Sequence, residues 1–200
     1  MAITAEQVKA LRERTGAGMM ECKAALTETG GNLEEAITVL RKRGLAQAAK
    51  RSGRATRQGM VGSYIHLGGK VGVLVEVNCE SDFVARTEAF QTLVKEIAMQ
   101  IAAADPRYVG REQVPAAELE KEKDIVRAQF AGSNKPANVI EKIVEGKLDS
   151  FYERIVLVDQ PSIRDGSVKV SQMLAAAVAQ TGENITVSRF ARFKLGEASE

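Results

Sequence analysis

The stretch from Val71 to Glu80 constrains this chain more than any other. Val71, Val73, Val75, Val77 and Cys79 alternate with Gly72, Leu74, Glu76, Asn78 and Glu80. A period of two puts the first set on one face of a β-strand. A strand carries unpaired amides and carbonyls along both edges, so this one needs partner strands, and its valine face needs a cover. Val61 to Leu67 precedes it across Gly68-Gly69, which reads as a two-residue hairpin turn. A third strand is expected near the C-terminus. There Ile185, Val187, Ala191, Phe193 and Leu195 share one face, with Arg189 the exception, and Thr186, Ser188, Arg192 and Lys194 lie opposite.

Between these strands the period is helical. Phe90, Leu93, Val94, Ile97 and Ile101 fit one helix face, ending near Asp105-Pro106. Further helices are expected over Ala116–Phe130, from Pro136 to about Tyr152, and over Val170–Gln180, with a short strand at Arg154–Val158. Antiparallel strands with helices grouped beside them predict an α+β layer fold with a three-stranded antiparallel sheet and flanking helices.

The N-terminal region reads as three short helices. Thr4 with Gln7 predicts a capping box. Thr15-Gly16-Ala17-Gly18 breaks the first helix, and Gly30-Gly31 stops a second that begins at Met19. Asn32 with Glu35 predicts another capping box, Leu33, Ile37 and Leu40 form one apolar stripe, and Gly44 is the expected end. Helices this short hold only by stacking on each other. The expected organisation is a three-helix domain at 1–44, a basic linker at 45–58 and an α+β core at 59–200.

Charge separates these parts. Residues 1–57 carry 11 Lys/Arg and 6 Asp/Glu, and the remainder carry 17 and 20. Arg41, Lys42, Arg43, Lys50, Arg51, Arg54 and Arg57 form a run with no acid among them, a field that favours an acidic partner. The run has no interleaved aromatic residue for stacking on bases, so a solvated connector is the simpler reading.

The function classes narrow by elimination. The longest apolar run, Met173–Ala179, is far short of a membrane span. No apolar signal region follows the N-terminus, and two cysteines make no disulfide framework, so a cytoplasmic protein is expected. One histidine argues against a His-rich metal site and against nucleophile–histidine chemistry. No P-loop pattern is present. Gly16-Ala17-Gly18 follows a helix rather than a strand, and Glu21 stands where a dinucleotide fingerprint needs its last glycine. Neither a catalytic group, a cofactor nor a metal is expected.

Two stretches carry a resemblance. Leu11-Arg12-Glu13-Arg14-Thr15-Gly16-Ala17-Gly18-Met19-Met20-Glu21-Cys22-Lys23 resembles the N-terminal signature of the elongation factor Ts family. Glu76-Val77-Asn78-Cys79-Glu80-Ser81-Asp82-Phe83-Val84 resembles its second signature, with Ser81 where the family usually has threonine. The chain looks like the family's short form, with one core unit and no protruding helical hairpin. The resemblance implies an N-terminal ubiquitin-associated-like domain, a linker and an antiparallel-sheet core. It also implies a job: binding the GTPase elongation factor Tu, which carries magnesium and GDP or GTP, and promoting GDP release so that GTP can enter. The short form implies a homodimer in a two-plus-two complex, with no membrane and no direct DNA contact.

Site residues follow partly from the residues and partly from the resemblance. Ser81 is placed to cap a helix starting after the valine strand, leaving Asp82 and Phe83 in its first turn. An acid there suits the helix dipole, and a phenylalanine is usually core. In the family the residues matching Ser81, Asp82, Phe83 and Val84 form the tip that disturbs the partner's magnesium and phosphate contacts. Met19 shares helical spacing with Cys22 and Leu26, which suggests core, while Met20 aligns with Ala24 and Thr27. In the family the residues matching Arg12, Met19 and Met20 contact the partner's nucleotide-binding domain. His66 lies off the face of Val61, Ile65 and Leu67, and Gly62-Ser63-Tyr64-Ile65-His66 matches a partner-contacting family motif. The rival reading is an adaptor that binds RNA or peptide with no effect on a nucleotide.

Overall fold

Residues 3–130 and 136–197 are described by a computed structural model. Three helices open the chain: α1 (Ala5–Thr15), α2 (Met19–Glu28) and α3 (Leu33–Arg51). The expected capping box closes at α1, where the Thr4 hydroxyl accepts the Gln7 amide at 3.2 Å and Gln7 Oε1 accepts the Thr4 amide at 3.0 Å. At α3 only the first half forms: Asn32 Oδ1 accepts the amides of Glu34 and Glu35. Val8, Leu11, Cys22, Ala25, Leu26 and Ala36 bury a small core between the three helices.

Gly44 does not end α3. The helix continues to Arg51, so residues 45–51 of the expected linker are helical. Glycine inside a helix costs roughly 1 kcal/mol against alanine. The compensation is tertiary. Gly44 is buried against α8 (Val170–Thr181), where a methyl would stand 3.7 Å from the Ala175 carbonyl oxygen. The N-terminal helices thus lie on the core through α3.

The core sheet has the order β1 (Gln58–Ile65), β2 (Val71–Cys79), β3 (Ile185–Lys194), both pairings antiparallel. Val73, Val75, Val77 and Cys79 face α5 (Glu88–Ala104) and α8, packing with Phe90, Val94, Ile97, Ile101 and Val178. At Gly62 the approach is so close that a Cβ would lie 2.2 Å from Val94 Cγ1. The β1–β2 turn is longer than two residues. The His66 amide bonds the Val71 carbonyl and the Gly69 amide bonds the His66 carbonyl, leaving 67–70 as the loop, with Gly68 and Gly69 at φ 86° and 68°.

A bulge changes the expected facing of β3. Val77 pairs with Val187 but Glu76 pairs with Arg189, so Ser188 is the extra residue and the parity of the strand reverses. Phe190 then packs on the core, and Arg192 donates to the Ala102 carbonyl. Arg189, Ala191, Phe193 and Leu195 turn to the outer face, and Arg189 ceases to be an exception by pairing with Glu76 at 2.8 Å. Val61 and Ile65 also lie on that outer face and are exposed.

The region Arg154–Val158 is not a strand. Helix α7 (Ala137–Ile155) takes Arg154 and Ile155, Val156 makes a single bridge to Tyr108, and 157–159 form a 3₁₀ turn. Helix α6 (Ala116–Gln129) lies antiparallel to α7, with Arg127 reaching Glu141 at 3.0 Å. The pair encloses Val114, Phe151, Ile155 and Val156. The two helices expected over Ala116–Phe130 and from Pro136 are thus present and pack on each other.

Candidate partner-binding surface

Strand β2 ends at Cys79, paired with Ile185. Two helix starts follow in quick succession. Ser81 is extended (φ −127°, ψ 156°) and its hydroxyl accepts the Val84 amide at 3.4 Å, opening the single turn α4 (Asp82–Ala85). Thr87 then caps α5 by accepting the Phe90 amide at 3.3 Å. Two caps six residues apart force the chain out and back, which makes residues 81–84 a tip.

The tip separates its side chains by role. Val84 packs on the core. Phe83 is 81% exposed, so its reading as a core residue fails. The space under the sheet is already filled by Phe90 and the β2 valines. Asp82 pairs with Arg86 one turn on, at 2.9 Å. What the tip offers outward is an aromatic ring with no packing of its own beside a carboxylate.

Arg12, Met19 and Met20 flank the Gly16–Gly18 turn between α1 and α2. Met19 is 44% and Met20 76% exposed. The spacing argument for Met19 in the core fails because it is the first residue of α2, beyond the crossing that buries Cys22 and Leu26. A Cβ on Gly16 would stand 3.4 Å from Gln180 Oε1, so this turn rests on the C-terminal end of α8. Glu183, three residues further on, holds Ser81: its carboxylate accepts the Ser81 hydroxyl at 2.5 Å. The tip and the methionine turn are thus anchored to the same helix end.

His66 is not brought to this place. It sits at the other end of β2, roughly 30 Å of strand away, where the Tyr64 hydroxyl and His66 Nδ1 are 2.9 Å apart. The basic run is partly engaged within the chain. Arg43 pairs with Glu28, Arg51 donates to Gln47, and Arg54 pairs with Glu80.

Residues missed in the sequence are those that hold the tip. Asn184 Nδ2 donates to the Arg54 carbonyl at 2.9 Å, and the Asn184 amide bonds Glu80 at 2.6 Å. The signal was Gly182-Glu183-Asn184 just before β3, opposite Glu80-Ser81 once the antiparallel register is known. The Cys79 thiol, pushed up in pKa by burial and then by the Glu183 charge, donates to the Ser81 carbonyl at 3.0 Å. Among the described residues no helix is long and apolar enough to cross a membrane.

The fold is that of an α+β protein with an N-terminal helical unit, whose most prominent exposed apolar groups on helices are a tip phenylalanine and a methionine pair. A family model described as Elongation factor TS matches residues 1–197. Proteins named "Elongation factor Ts" from Koribacter versatilis and Geobacter sulfurreducens are each 58% identical over the whole chain, which covers 91% and 93% of them. One from Caldanaerobacter subterraneus is 57% identical over 99% of both chains. The chain belongs to the elongation factor Ts family of translation elongation factors.

Proposed function

We propose that the protein is a guanine-nucleotide exchange factor for elongation factor Tu, working in the cytoplasm and doing no bond-making chemistry of its own. The observation that carries this reading is the exposed Phe83 beside Asp82 on a tip fixed to the sheet. An aromatic ring without packing partners gains its burial only in a complex. Wedged beside a nucleotide pocket it parts the partner's elements, while the Asp82 carboxylate repels phosphate and competes for the groups around magnesium. Binding by the rest of the surface, with Arg12, Met19 and Met20 as a second contact, offsets the cost of loosening GDP. Methionine suits that role, being flexible and polarisable. By linkage, GDP weakens the complex by the factor by which the complex weakens GDP. That reciprocity frees the factor once nucleotide returns. His66 is a separate contact in this proposal, at the far end of the sheet. The working division remains an N-terminal domain at 1–44, a connector that is partly helical, and a core from 59.

A homodimer completes the proposal. The outer sheet face exposes Val61, Ile65, Leu74, Phe193 and Leu195, an apolar surface on the side away from α5 and α8. A monomer seldom leaves so many apolar side chains contiguous in water. A second copy of the same face covers them with matching chemistry, and each protomer then keeps its own tip for a partner, giving two plus two.

The test is stopped-flow release of fluorescent GDP from elongation factor Tu. Release accelerates steeply with this protein present. Unchanged release, with salt-sensitive RNA binding instead, rejects the reading in favour of an adaptor. Light scattering reports a dimer; a monomer at micromolar concentration rejects the dimer.

A further inference from the structure

We propose that Glu183 is a positioning residue for the tip, clamping Ser81 so that Asp82 and Phe83 leave the sheet in one direction. The β2–β3 ladder stops at Cys79 opposite Ile185. Beyond that pair the strands continue side by side, and side chains take over the work of the ladder. The Glu183 carboxylate accepts the Glu80 amide at 3.1 Å and the Ser81 amide at 3.0 Å through one oxygen, and the Ser81 hydroxyl at 2.5 Å through the other. Glu80 returns the arrangement by accepting the Asn184 amide at 2.6 Å. Each strand end is therefore held by an acid from the other.

This matters because Phe83 has no packing of its own to orient its ring. Its ring is exposed, and α4 is a single turn that cannot stand alone. Its direction is inherited from its flanks: Val84, packed on the core on one side, and Ser81 on the other. Every polar group of Ser81 is held: the amide and hydroxyl by Glu183, and the carbonyl by the Cys79 thiol and the Ala85 amide. The same hydroxyl accepts the Val84 amide, so the bond to Glu183 fixes the rotamer that caps α4. Hydrogen bonds to an ionised acceptor are roughly twice as strong as neutral ones. Glu183 reaches this position because Gly182 ends α8 in the left-handed region at φ 76° and turns the chain toward the strand.

The kinetic consequence rests on the exchange reading above; the clamp itself rests on hydrogen-bond geometry. Two measurements on the full chain separate them. By hydrogen–deuterium exchange, Glu183→Ala raises the exchange rates of the Glu80 and Ser81 amides about tenfold or more, while α5 amides keep their protection. In stopped-flow GDP release, the same variant lowers the maximum rate at saturation about tenfold and moves the concentration for half-maximal effect by less than about threefold. Glu183→Gln, which keeps an oxygen for the two amides, restores most of the protection and most of the rate; a purely global loss of stability would shift the half-maximal concentration instead. Should Glu183→Ala unfold, Glu183→Gln and Ser81→Ala each lower the maximum rate in part. Wild-type protection at Glu80 and Ser81 in Glu183→Ala, or wild-type maximum rates in the Glu183→Gln and Ser81→Ala variants while Phe83→Ala is slow, overturns the proposal. A wild-type rate in Phe83→Ala as well, with the amide protection lost as expected, indicts the exchange reading and leaves the clamp standing.

Discussion

The two apolar groups of the candidate partner-binding surface, Phe83 and the methionine pair, are mounted in opposite ways. The tip at 81–84 is held by hydrogen bonds from outside its own segment, with the amide, hydroxyl and carbonyl of Ser81 all engaged. The methionine turn is held more loosely, mostly by its own segment: the Ala17 amide bonds the Thr15 hydroxyl at 3.3 Å, and one bond reaches it from outside, Gln47 of α3 donating to Glu21 at 3.2 Å. Its chain is shaped by Gly16 at φ 67° and the Gly18 amide's long 3.4 Å bond to Glu21, and it rests on Gln180. Phenylalanine has two side-chain torsions and methionine three, so the difference extends to the side chains. A ring carried on a held backbone can transmit force to a partner, whereas a flexible thioether adapts to its surface. Within the proposed exchange function, the tip is the element for displacing nucleotide and the turn the element for affinity.

That assignment breaks if the two regions respond alike to truncation. Phe83→Ala is expected to lower the maximum rate of GDP release about a hundredfold, equivalent to roughly 2.7 kcal/mol of barrier, with partner affinity falling far less. Asp82→Ala follows in the same direction with a smaller loss. The paired change Met19→Ala with Met20→Ala is expected to do the converse. Affinity falls about tenfold by titration calorimetry, and the rate at saturation holds. If the methionine pair changes the saturated rate while Phe83→Ala does not, the roles are reversed.

A third variant sharpens the comparison from the side of the mount. Gly16→Ala forces a Cβ into a left-handed conformation and costs about 1 kcal/mol of stability by denaturant titration. Affinity for the partner falls modestly, and the rate at saturation does not, because the tip is clamped by Glu183, beyond the end of α8. The smallest expected effect is on pH. Burial raises the Cys79 thiol, so the unfolded chain gives up its proton first as pH rises. The folded state then holds more protons, and stability present below the ordinary thiol value of about 8.5 is progressively lost above it. Melting temperatures measured between pH 8 and 10 decline, and decline less in Cys79→Ala.

Periodicity made much of the architecture legible. The valine alternation identified β2 and its buried face, and the helical stripe from Phe90 to Ile101 identified α5, because each pattern reports burial on one side. Where periodicity misled, a single residue was responsible. Ser188 adds one position to β3 and turns Phe193 outward, and no local composition marks a bulge. Gly44 has the composition of a helix end, yet the contact with α8 carries the helix through it. Ser81 was readable as a cap from its type and place, but Glu183 lies 102 residues away and becomes visible only when the strands are paired. The exposure of Phe83 was illegible from its own neighbourhood, since a phenylalanine after a valine strand has the same local signal whether it is buried or presented.

The structure of the complex with nucleotide-free elongation factor Tu tests the central claim most directly. The account predicts the Phe83 ring inserted among partner residues that border the magnesium and phosphate sites, with the Asp82 carboxylate facing the same place. A complex in which Phe83 stays in solvent, or touches the partner only at a distance from its nucleotide pocket, contradicts it.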